Sequence, residues 1–140
     1  MKVESAFADT NLFLRYLTND IPEQAQAFEQ LLIKAGQGEM RLVTNSLVIA
    51  EIVWTLESFY QLSPADTQSK ILAILNTSGL EVAEADLLLQ AITWHVEKNV
   101  AFIDAYNAAW MVSQGLRQIY THDRKHLGRF DKLTVIDPRN

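Results

Sequence analysis

Apolar positions follow two periods along the chain. Short apolar runs of strand length fall at residues 5–8, 40–44, 80–83, 118–121 and 133–136. Between them the apolar residues recur at helical spacing. Leu12, Tyr16 and Leu17 mark a helix over 11–18. Ala25, Phe28, Leu32 and Ala35 mark another, entered through Asp20 and Pro22 and stopped at Gly36 and Gly38. Ser46 is read as the cap of a helix running to residue 59. Ser63, Pro64 and Asp66 open a helix to residue 76, before Gly79. Helices over 85–98 and 103–114 follow, the second stopped at Gly115. Strands alternating with helices predict an α/β fold. The expected architecture is three-layer α/β/α, with a central parallel sheet of four to five strands. The whole of 1–140 is read as one domain, with no repeat or low-complexity linker.

Open α/β sheets bind ligands outside the carboxyl ends of their strands. Four acids draw attention there. Asp9 ends the run Ala6-Phe7-Ala8, Asp104 follows Val100-Ala101-Phe102-Ile103, and Asp123 follows Ile119-Tyr120-Thr121-His122. Glu51 sits inside an apolar helix, with only Thr55 and Ser58 as polar companions at helical spacing. Each alone has a plain structural explanation. Asp9 and Asp104 suit helix caps, Asp123 suits a turn, and Glu51 could pair with an arginine or reach solvent. Together they can converge at one edge of the sheet. Clustered carboxylates repel unless cations neutralise them, and oxygen-only ligands select hard ions such as Mg²⁺ or Mn²⁺.

Composition narrows the chemistry. The chain has 140 residues, 49% of them hydrophobic and 21% charged, which excludes a disordered or fibrous protein. With no cysteine, disulfides, thiolate zinc sites and cysteine nucleophiles are impossible. The amino-terminal segment does not read as a secretory signal and no apolar run approaches membrane-spanning length, so a cytoplasmic protein with no membrane association is expected. Net charge is −5, which argues against a broadly basic nucleic-acid clamp. Setting the four acids aside leaves 13 acidic against 12 basic residues, so much of the acidity resides in the candidate site.

Four short segments then resemble the motifs of PIN domains in order: Ala8-Asp9-Thr10-Asn11, the Ser-led helix from Ser46 to Glu51, Asp104 with the paired Ala108 and Ala109, and Thr121-His122-Asp123. Length and spacing look most like the VapC-type toxins of toxin–antitoxin pairs. The resemblance implies an α/β/α nuclease fold and an endoribonuclease dependent on Mg²⁺ or Mn²⁺. Asp9, Glu51, Asp104 and Asp123 would be its metal ligands and catalytic acids. Thr10, Asn11, Asn107 and Thr121 would support them. Implied partners are an RNA substrate, a cognate antitoxin and a second copy in a homodimer, with the helices between Asp20 and Asn76 as a candidate surface.

Phosphate contacts need cations, and residues 117–140 hold six of the twelve basic side chains. Arg15, Arg124, Lys125 and Arg129 are the RNA-binding candidates, whereas Lys132 and Arg139 read as solvated surface. His122 and His126 straddle an expected turn without a zinc motif, His95 reads as structural, and Trp54, Trp94 and Trp110 read as core or interface. A catalytically silent PIN-fold interaction protein is the alternative. A metal-dependent phosphatase fits less well, because Asn11 stands where its second aspartate is required.

Overall fold

The computed structural model describes residues 3–139, which divide into two compact units on either side of the Ala85–Asp86 junction. The first unit contains β1 (Glu4–Phe7), α1 (Thr10–Thr18), α2 (Pro22–Gly36), β2 (Met40–Thr44), α3 (Ser46–Ser58), α4 (Pro64–Leu75) and β3 (Leu80–Val82). The second contains α5 (Ala85–Glu97), α6 (Phe102–Ser113), β4 (Gln118–Tyr120), α7 (Arg124–Leu127) and β5 (Thr134–Ile136), α5 beginning at the junction. The fold is mixed α/β with parallel strands throughout. All five expected strands form. They pair as a three-stranded ladder in the order β1-β2-β3 and a two-stranded ladder of β4 with β5.

In the first unit, local chemistry sets the helix starts. Asp9 caps α1, Pro22 and Pro64 occupy first-turn positions of α2 and α4, and the Ser63 hydroxyl accepts from the Asp66 amide at 3.1 Å. The cap of α3 differs from expectation. Asn45, not Ser46, holds the extended capping conformation and accepts from the Val48 amide at 3.2 Å. Freed from that task, Ser46 donates to Glu84 at 2.6 Å. The apolar faces meet in a core containing Phe13, Phe28, Leu42, Ile49, Ile52, Leu56 and Ile71. Phe13 and Phe28 join α1 to α2 edge-to-face, with centroids 5.0 Å apart. Gly79 is required where it stands. Its φ is +84°, and a Cβ there would overlap the backbone of Ala35 and Gly36 at the end of α2.

In the second unit, Leu88, Ala91, Ile92, Ala105, Ala108, Leu127 and Phe130 are buried. Trp94 meets Phe130 edge-on at 5.2 Å. His95 is buried, with Nδ1 2.6 Å from the Val100 carbonyl, in keeping with a structural role. The α6 helix starts one residue before its expected start. Asp104 therefore lies inside the first turn and is not the cap, which falls on Ala101 with no side-chain bond. Residues 124–127, expected within a turn, form the single helical turn α7.

Candidate active site

Asp9 sits just beyond the carboxyl end of β1. Its Oδ1 accepts from the Thr10 amide at 2.8 Å, fixing the carboxylate at the positive end of α1. Thr10 is buried and Asn11 exposed. Behind Asp9, the buried Thr44 hydroxyl donates to the Ala8 carbonyl at 2.9 Å. That bond ties the peptide carrying Asp9 to the end of β2. Sequence inspection missed Thr44, which reads as an ordinary strand residue. Its one signal is a hydroxyl at the end of an otherwise apolar strand.

Glu51 lies on the second turn of α3 and is exposed. Its apolar company in the sequence comes from both faces of the helix. Ile52 and Val53 are buried, but Leu47 and Trp54, four before and three after Glu51, are 81% and 70% exposed. The outward stripe of α3 thus sets Glu51 between exposed Leu47 and Trp54, with Ser58 one turn further on. Phe28 belongs to the core, whereas Phe59 is exposed.

In the second unit, Asp104 is half-buried on α6, and Asn107 is exposed one turn on. Asp123 is held more tightly. Its Oδ1 accepts from the His126 amide at 3.0 Å and caps α7, and both its oxygens lie within 3.1 Å of His126 Nδ1. The amide of His126 first, then its ring, hold the Asp123 carboxyl below its ordinary range, so it is ionised at neutral pH. Thr121 accepts from the Asp123 amide at 3.1 Å, which fixes the turn out of β4. His126 is a second partner that sequence inspection weighed only with His122, as an unlikely zinc pair, because its bond to Asp123 depends on the turn that brings residues 123 and 126 together.

The basic candidates separate. Arg124 and Lys125 are exposed in the first turn of α7. Arg15 is ion-paired with Asp20 at 2.8 Å, and Tyr60 donates to the same carboxylate. Arg129 donates to the Lys98 and Asn99 carbonyls at 3.0 and 2.6 Å, and Lys98 returns a bond to the Arg129 carbonyl at 3.2 Å. Arg129 thus caps the carboxyl end of α5, a structural task.

The sequence model of the PIN domain family matches residues 6–133. The chain belongs to the PIN domain family. No curated protein matches it. The PIN fold is a nuclease fold, commonly that of metal-dependent ribonucleases. The four acids singled out in the sequence carry only oxygen donors, the ligand type that suits a hard divalent ion. Within neither unit, among the described residues, do three or more His, Asp or Glu side chains gather closely enough to hold one. Among the described residues, no helix is long and apolar enough to cross a membrane.

Proposed function

We propose that this PIN-domain protein is a metal-dependent endoribonuclease, the toxin of a toxin–antitoxin pair. It acts in the cytoplasm as a homodimer restrained by a cognate antitoxin. The observation that carries this reading is the extent of the family match, which takes in all four acids in their motif order. The match also crosses the boundary between the two units, which supports one PIN domain over residues 1–140.

In this reading Asp9, Glu51, Asp104 and Asp123 supply oxygen ligands to Mg²⁺ or Mn²⁺. When bound, the metal supplies Lewis acidity to the scissile phosphate and lowers the pKa of attacking water. The chain's own residues position the groups. The Thr10 amide and the Thr44–Ala8 bond hold Asp9 at its strand end. His126 and Thr121 hold Asp123 ionised and in place. Arg124 and Lys125 receive backbone phosphates, with Arg15 of α1, itself paired with Asp20, as a further cation and Asn11 and Asn107 as polar supports. Water attacks phosphorus in line and the bond to the 3′ oxygen breaks. That oxygen takes up a proton, leaving a 5′ phosphate and a 3′ hydroxyl.

A calorimetric titration of the metal-free protein with Mn²⁺ tests the ligand set. Saturable binding is expected in the wild type, and at least tenfold weaker binding in Asp9→Asn. A wild type that shows no saturable binding overturns the reading.

A further inference from the structure

Asp137, just past β5, is an acid that no role above uses. Its side chain is 9% exposed, yet it faces two solvent-exposed basic groups. Arg139 donates to it from Nε to Oδ1 at 3.0 Å and Oδ2 at 3.2 Å, and from NH2 to Oδ2 at 2.6 Å. The Arg139 amide adds a bond to Oδ1 at 2.9 Å. His122 Nδ1 stands 3.4 Å from the same Oδ1. The Arg139 and His122 side chains are 75% and 66% exposed.

A guanidinium has five N–H donors in a rigid fork. Nε and one NH2 hydrogen are spent on Asp137. The other NH2 hydrogen and both on NH1 remain, on a head that stays in solvent. The trio stands at the carboxyl ends of two parallel strands, where such sheets bind ligands. The Thr121 amide continues the ladder onto the Ile136 carbonyl at 3.0 Å, bringing His122 alongside Asp137 and leading straight into Asp123, Arg124 and Lys125.

We propose that Arg139, aimed by Asp137 with His122 beside it, is a phosphate-binding station for the RNA strand at the carboxyl ends of β4 and β5. Arg139 makes the contact, and Asp137 is a positioning residue. The station deepens the ribonuclease reading and rests on it. It also reverses the expectation that Arg139 is idle surface.

The test is binding of a fluorescent single-stranded oligoribonucleotide, followed by anisotropy in EDTA across a range of salt. Each phosphate contact contributes about 0.7 to the slope of log K against log salt for a single strand. Arg139→Ala is expected to weaken binding several-fold and to lower the slope by about 0.7. Lys132→Ala, the loss of an equal charge elsewhere in the second unit, is expected to change both much less. Asp137→Asn discriminates further. Removing a negative charge tightens RNA binding if charge alone matters, whereas loss of aim weakens it. Weaker binding in Asp137→Asn supports the station, and tighter binding overturns it. If Asp137→Asn is poorly folded, the exposed Arg139 variant decides. Equal effects of Arg139→Ala and Lys132→Ala overturn the station while leaving the ribonuclease reading intact. A wild type that binds no RNA overturns both.

Discussion

Replacing Thr44 with Val removes a hydrogen-bond donor and almost nothing else. The two side chains have nearly the same shape, and Thr44 is fully buried, so no water replaces the lost hydroxyl. The Ala8 carbonyl, in an equally buried residue, loses the bond it accepts at 2.9 Å. Leaving a buried acceptor unsatisfied costs about 1–3 kcal/mol. Exchanging a hydroxyl for a methyl returns up to roughly 0.8 kcal/mol of burial. The net loss is therefore about 1–2 kcal/mol. With a urea m-value of roughly 1–3 kcal/mol/M, the unfolding midpoint falls by about 0.5–1.5 M at unchanged m. Thr44→Ser keeps the donor and loses a methyl, a change costing about 0.5–1.5 kcal/mol by analogy with Ile→Val. Stability alone separates the two variants weakly, but RNA cleavage separates them well. A catalytic group displaced by ~1 Å costs on the order of 100-fold in rate. Slack in the Ala8–Asp9 peptide should then reduce cleavage about tenfold in Thr44→Val and little in Thr44→Ser. A Val variant with wild-type midpoint and wild-type cleavage would refute the assignment of Thr44 as the anchor of Asp9.

Other expectations follow from the same contacts. Gly79→Ala combines a left-handed backbone with overlap against Ala35 and Gly36, and should lose about 2–5 kcal/mol of stability; a loss below ~1 kcal/mol contradicts the close approach of α2 and β3. In His126→Ala the Asp123 carboxyl should titrate nearer its ordinary value, part of the way only because the residue 126 amide still donates; an unchanged NMR titration argues against the ring contact. Arg139 holds the Asp137 carboxyl far below its unfolded value of 3.8, so the pair's contribution is fully present above that pH and is lost as pH falls below it. The stability gap between wild type and Asp137→Asn should accordingly stay constant from neutral pH to about 4.5 and narrow in stronger acid. A gap that does not change down to pH ~2 excludes that linkage.

Much of this fold was legible because periodicity and punctuation agree. Pro22, Ser63-Pro64 and Gly79 mark their boundaries unambiguously, and strand-length apolar runs alternate with amphipathic helices. Asn45 and Ser46 are both good caps, and sequence alone does not say which one adopts the extended backbone. The α7 helix was hidden because one turn of Arg-Lys-His-Leu carries no period. The four acids stood out because carboxylates beside apolar strand ends are costly without a purpose. The groups that hold them did not. Thr44 and His126 act through single hydrogen bonds set by tertiary geometry, which leave no mark on spacing. Asp137 was passed over for a similar reason: its burial depends on where β5 ends, and its partners, two residues on and fifteen residues back, match no helical or strand period.

The central claim is that the four acids run metal-dependent RNA cleavage, and a single cleavage assay addresses it directly. The protein is incubated with a structured RNA in Mg²⁺, in Mn²⁺ and in EDTA, alongside Asp9→Asn and Asp104→Asn, and the product ends are identified. The account predicts cleavage with either metal, none in EDTA, a loss of at least about 100-fold in each variant, and 5′-phosphate ends. Cleavage that persists both in EDTA and in the two variants contradicts it.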